Sequence, residues 1–184
     1  MPSTAGKLDI FNMALGFLGT RTIASENERT PEAIQCVLYW DRARRSALRD
    51  YPYRFAVRRV VLAEKTLPET YEGEWRHAYA LPDQCLKVHS VHDGRERGPK
   101  KPFRLESDSE GMLLLCDVEQ AMATCTFDVE DVSLWDENFV MAMARKLAML
   151  IAVPLLKNNQ SKLQELAQLY QAALNSAEGQ DPSE

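Results

Sequence analysis

Apolar residues recur at helical spacing towards both ends of the chain and at strand spacing between them. Over residues 6–18, Leu8, Phe11, Leu15 and Leu18 make one stripe and Ile10, Met13, Ala14 and Phe17 a second beside it, which predicts a helix buried on more than one side. Gly19 and Thr20 end it, and Ala24 to Arg29 reads as a loop. Thr30 then stands as an N-cap, Pro31 as the first helical residue and Glu32 near the positive end of the helix dipole, with Ile34, Val37 and Leu38 as the apolar positions that follow. This second helix is expected to reach about Asp50, because Pro52 prevents much continuation.

Beyond Pro52 the spacing becomes that of short strands. Arg59 to Ala63, Arg76 to Leu81, Leu86 to His92, Met112 to Cys116 and Met122 to Val129 are β-branched or aromatic runs separated by turn residues, and they predict one small antiparallel sheet. Ser133, with Asp136 three residues on, reads as the start of a third helix that is apolar almost all round from Phe139 to Leu156, and Pro154 is expected to kink or stop it. Lys162 to Ala177 reads as a fourth helix with Leu163, Leu166, Ala167, Tyr170 and Leu174 on one face. The expected fold is α+β: a four-helix bundle with a small antiparallel β-rich domain inserted between the second and third helices. Residues 1–56 and 130–178 would form the bundle, 57–129 the β domain and 179–184 a loose tail.

With 184 residues, 45% of them hydrophobic, the chain can bury a core and has neither a disordered nor a repetitive composition. Met1 to Lys7 lacks the basic start and apolar run of a signal peptide, and the uncharged stretch from Leu147 to Leu156 is too short to span a bilayer, so no membrane partner is expected. Four scattered cysteines, Cys36, Cys85, Cys116 and Cys125, suit reduced and buried thiols.

Charge is unevenly placed. Asp41 to Arg59 holds seven arginines against two acids, whereas Leu105 to Asn138 holds ten acids and no lysine or arginine. Arg42, Arg45 and Arg49 share one helical face, while Arg44 points elsewhere. They are expected to meet an acidic surface of the same or a neighbouring subunit, with Asp128, Glu130 and Asp131 as its candidates. An alternative is a DNA-binding module in which these arginines hold phosphates and Tyr51, Tyr53 and Phe55 stack on bases.

Catalytic constellations are sparse. Cys85, His89 and His92 are tempting as metal ligands, but strand alternation would turn His92 away from the other two, and no metal or other cofactor is expected. No serine has a nucleophile elbow. Glu72 with Glu74, and Asp128 with Glu130, would each share a strand face as paired carboxylates, which keeps a cell-wall (peptidoglycan) hydrolase as a rival reading.

Asp50-Tyr51-Pro52-Tyr53-Arg54-Phe55-Ala56, then Arg59 to Ala63, then Trp75 and the run from Tyr79-Ala80-Leu81-Pro82 to Val88, resemble the tail tubular protein A family, the head-to-tail adaptors of short-tailed bacteriophages. The likeness extends to Ala14-Leu15-Gly16-Phe17-Leu18-Gly19, to Ile23-Ala24-Ser25 and to Leu134-Trp135-Asp136-Glu137-Asn138-Phe139, in order along nearly the whole chain. The resemblance implies a non-enzymatic virion protein made in the host cytoplasm: twelve copies in a ring, a portal protein above, a tail nozzle (tubular protein B) below, tail fibres docked nearby in related assemblies and DNA passing through the channel. Tyr51, Pro52, Tyr53, Phe55, Trp75, Tyr79 and Pro82 are expected to be its structural motif, a turn with large buried side chains. Tyr170, Leu174, Asp181 and Glu184 are the candidates for contact with the portal, on the expectation that the polar C-terminal stretch orders on binding.

Overall fold

Gly6 opens the first helix of the computed structural model, which describes residues 5–94, 98–109, 111–156 and 160–179. The backbone N–H of Gly6 donates to Asp9 Oδ2 at 2.8 Å, and α1 (Lys7–Leu18) closes on Gly19, whose φ of 70° is the left-handed cap that favours glycine. α2 (Pro31–Asp50) starts as its sequence predicts, with Thr30 Oγ1 accepting the Ala33 N–H at 3.3 Å. Seven strands follow: β1 (Val57–Val61), β2 (Ala63–Lys65), β3 (His77–Ala80), β4 (Cys85–His92), β5 (Phe103–Asp108), β6 (Gly111–Cys116) and β7 (Met122–Phe127). α3 (Glu137–Leu156) and α4 (Gln160–Gly179) complete the described chain. It divides into two compact units, residues 1–55 with 129–184, and residues 56–128.

The architecture corrects the expected one. The chain is α+β, but its helices do not make a four-helix bundle and its strands do not make one small sheet. α1, α2 and α4 each pack on α3, α1 meets α2 chiefly where Phe11 lies against Trp40, and α4 takes α3 as its principal neighbour. The reason lies in α3, which is apolar almost all round and therefore needs a neighbour on each side. Phe139, Val140, Met143, Leu147 and Ile151 are all buried. α3 does not begin at Ser133: Asp136 caps it by accepting the Phe139 N–H at 2.8 Å, while Ser133 is held by Asp131 in a short 3-10 turn. Nor does Pro154 stop it, since it lies in the last turn and the helix continues to Leu156.

Two antiparallel sheets, β1-β7-β4 and β2-β3-β6-β5, replace the single five-stranded sheet. The run from Arg59 to Ala63, read from sequence as one strand, is broken at Leu62. Its N–H donates to Ala121 O at 2.9 Å, so β1 pairs with β7 and β2 with β3. β5 was hidden by its polarity, because four of its six residues, Arg104, Glu106, Ser107 and Asp108, are polar or charged. The two sheets share one core of Leu62, Tyr79, Val91, Leu114, Cys116, Ala123, Cys125 and Phe127. Tyr79 also donates its hydroxyl to Val118 O at 2.6 Å.

Tyr79 and Tyr53 make opposite predictions. Tyr79→Phe strands a buried carbonyl and should cost about 1–2 kcal/mol. The buried Tyr53 hydroxyl has no hydrogen-bond partner among the described residues, so Tyr53→Phe should change stability by less than about 0.5 kcal/mol or raise it slightly. Urea midpoints of the two variants test the contrast, which fails if Tyr53→Phe is the more damaging.

Candidate functional site

α2 buries Ala33, Cys36, Trp40, Ala43, Arg44, Ala47 and Leu48 and turns its other side outward. At helical spacing, Ile34, Leu38, Arg42, Arg45 and Arg49 follow one another on that outer side, four, four, three and four residues apart. Asp41, Arg42, Arg45, Ser46, Arg49 and Asp50 line an open cleft of about 590 Å³. Nearer the helix start, Ile34, Val37 and Leu38 line a groove of about 330 Å³ with Glu26, Asn27 and Glu28 of the preceding loop. Ile34, Val37 and Leu38 are 52%, 46% and 66% exposed, so the three apolar residues read from the sequence as a start signal belong to the surface. The stripe that is buried, Ala33, Cys36, Trp40, Ala43 and Ala47, has the same helical period and was the signal available to find this.

Arg44 departs from the other arginines of its block. It is 4% exposed, and its guanidinium donates to Asp41 Oδ1 at 2.7 Å and to Glu130 Oε1 at 3.3 Å. Glu130 is therefore engaged within its own subunit, by the arginine that sequence turned away from the predicted face. Asp131 accepts both the N–H and the hydroxyl of Ser133, at 2.9 and 2.6 Å, and these bonds hold its carboxyl below the ordinary value of 3.8. Asp128 donates its backbone N–H to Gln84 O. None of these bonds brings the three acids to Arg42, Arg45 or Arg49.

Tyr170 is buried, not presented to a partner. It donates its hydroxyl to Asp50 Oδ2 at 2.6 Å, and Lys146 of α3 reaches the same oxygen at 2.8 Å. Burial first, and then the Asp50 hydrogen bond, push the Tyr170 phenol upward from 10.0. Leu174 is half-buried, while Asp181 and Glu184 lie outside the described residues.

The aromatic motif is a core. Tyr51 and Tyr53 are buried, with rings 4.9 Å apart, and Tyr53 meets Phe139 at 4.8 Å. Phe139 contacts Trp135 at 4.7 Å, Trp135 stacks on Trp40 at 5.6 Å, and Trp40 meets Phe11 edge-on at 5.2 Å. Two segments of the resemblance, Tyr51 to Phe55 and Trp135 to Phe139, thus meet in one cluster through Tyr53, Phe55 and Phe139. Buried Tyr51 and Tyr53 are not placed for base stacking. Trp75 and Pro82 are half-buried, Phe55 likewise, and Pro52 is exposed.

Reactive groups are engaged elsewhere. Burial pushes the Cys36 thiol up to about 12, and a hydrogen bond with Cys85 together with burial raises that of Cys125, so both stay protonated at neutral pH. Bulges in β4 between Cys85 and Lys87 and between Val88 and Ser90 break the alternation used to orient its histidines. His89 Nε2 meets Thr126 Oγ1 at 2.7 Å, whereas His92 Nε2 meets Ser90 Oγ at 2.8 Å and its Nδ1 faces Gly98 O at 3.3 Å. That serine–histidine pair is buried on both sides of the bond, with neither member open to a substrate carbonyl. Glu72 and Glu74 lie in a loop around Gly73 (φ 85°), not on a strand, and Asp128 and Glu130 fall after β7, so strand alternation aligns neither pair. Among the described residues no group of three or more His, Cys, Asp or Glu side chains is placed to hold a metal ion.

His89 supplies a pH test. Burial, then Lys87 and Lys100, lower its pKa from 6.5, so the folded state binds fewer protons than the unfolded one. Its contribution is complete above 6.5 and is lost as the pH falls through the lowered folded value. The thermal midpoint should fall on acidification below about 6.5, and His89→Gln should flatten that fall; an unchanged slope refutes it.

A scan of family models and a search of curated proteins found no match to the chain.

Proposed function

We propose that the protein is a structural head-to-tail connector of a phage virion, forming a ring between portal and tail nozzle through which the genome passes. The observation that carries this reading is the convergence of the resemblance on one packed cluster: Tyr51, Tyr53 and Phe55 lie more than 70 residues from Trp135 and Phe139 in sequence, yet the two segments interlock ring against ring. An outward helix face bearing three apolar side chains and three arginines supports an assembly role as well, since such a surface suits burial against another protein.

A peptidoglycan hydrolase on Glu72 and Glu74 draws no support from the loop geometry of that pair. The deciding measurement is native mass spectrometry of the purified chain, alone and mixed with a portal ring. A ring-sized complex with the portal is expected. Absence of any portal association, together with release of reducing sugar from peptidoglycan that Glu74→Gln abolishes, would overturn the connector in favour of the enzyme.

A further inference from the structure

Of the four cysteines only Cys85 has part of its surface open to solvent; Cys36, Cys116 and Cys125 are buried. Cys85 begins β4 and stands opposite Phe127 of β7. Residues directly opposite one another in an antiparallel pair point to the same face, and so do residues two apart on one strand. Cys125 lies two residues before Phe127, which puts both cysteines on the face that packs into the core shared by the two sheets. There Cys125 donates its S–H to the Cys85 sulfur, and this hydrogen bond, with burial, holds the proton on Cys125. Negative charge in the pair therefore settles on Cys85, the member that solvent reaches. From Cys85 to Val88 a bulge sets three steps of β4 against two of β7, and the extra residue gives the backbone slack to draw the two sulfurs together.

We propose that Cys85 and Cys125 are a peroxide-reactive thiol pair that closes to an intrachain disulfide. The Cys85 thiolate attacks one oxygen of hydrogen peroxide; the O–O bond breaks, and hydroxide leaves and takes up a proton as water, with a sulfenic acid formed on Cys85. The Cys125 sulfur then attacks the Cys85 sulfur. An S–S bond forms, the S–O bond breaks, and the departing oxygen takes the Cys125 proton to become the second water. Two thiols lose two electrons, and one peroxide gains them. The new bond fastens β4, an outer strand of its sheet, to β7 beside it. Cys116 shares the core but donates its own S–H to Val118 O at 3.9 Å, and Cys36 belongs to α2 in the other unit. The inference is independent of the connector reading, which rests on the aromatic cluster of the helical unit.

Peptide mapping under non-reducing conditions tests it. The reduced full chain, treated with a small excess of hydrogen peroxide and then alkylated with iodoacetamide, should yield a peptide cross-linked between Cys85 and Cys125 that dithiothreitol releases. In Cys125→Ser, Cys85 should stop at the sulfenic acid, and its labelling by dimedone should exceed that of the parent about tenfold or more. Cys125→Ala, which brings no hydroxyl into the core, should do the same, with circular dichroism showing that both variants are folded. Cys85→Ser should leave Cys125 without label or cross-link. A bond from Cys85 to Cys116, disulfide-linked dimers in place of the intrachain bond, or labelling of Cys85 as strong in the parent as in both Cys125 variants overturns the proposal. So does a parent chain whose Cys85 stays reduced.

Discussion

Trp135→Ala is expected to cost the helical unit about 3–5 kcal/mol, a large part of the total stability of an ordinary domain. Trp135 is fully buried and lies at the centre of the ring cluster, stacked on Trp40 and edge-on to Phe139. Its indole N–H donates to Val129 O at 3.0 Å. Alanine removes the ring, leaves a cavity among aromatic neighbours that cannot collapse far, and strands a buried carbonyl. Trp135→Phe restores much of the volume but not the hydrogen bond, so it should recover over half of the loss. Chemical denaturation followed by far-ultraviolet circular dichroism gives both values. A cost below about 1 kcal/mol for alanine would mean that the cluster is not the core of this unit.

Asp50→Ala should cost about 2–3 kcal/mol, with the effect concentrated in α4. One carboxylate oxygen at the end of α2 receives Tyr170 from α4 and Lys146 from α3, and the ammonium of Lys146 also lies 4.5 Å from the centre of the Tyr170 ring. Without Asp50 the buried phenol loses its acceptor and the lysine its counter-charge. α4 has α3 as its principal neighbour, so this hydrogen bond ties it to a second helix. Hydrogen exchange should show the α4 amides opening earlier in Asp50→Ala, while those of α1 keep their protection. Asp50→Asn, which keeps an acceptor oxygen, should show less than half the effect. Unaltered exchange in α4 would refute the role given to Asp50.

Local signals were legible where they are purely local. The Thr30 cap and Pro31 marked α2, and Gly19 marked the end of α1, because capping and φ preference depend on a few adjacent residues. The Asp136 cap was misplaced to Ser133 because Asp131 competes for Ser133, a contest that a list of good capping residues does not reveal. β5 was missed because pairing with β6, not its own composition, makes it a strand.

The candidate surface was legible in part. Spacing put Arg42, Arg45 and Arg49 on one face and set Arg44 apart, and the structure agrees on both. Spacing did not show that Ile34, Val37 and Leu38 stand beside those arginines on the outside. The sequence also marked α3 as apolar almost all round. In the structure three helices already cover much of α3, and a smaller apolar surface remains on α2.

By itself the sequence determined the end of α1, the start of α2, the helical period of the four helices and the split of charge into a basic and an acidic block, since these are set by neighbours within a turn or two. Tertiary structure alone decided that α3 is a hub rather than one corner of a bundle, and that β1 and β2 belong to different sheets. It also decided that Tyr170 faces inward to Asp50. The physical reason is common to all three: an apolar or hydrogen-bonding group specifies that it must be covered, and which surface covers it is fixed only when distant segments compete for the same space.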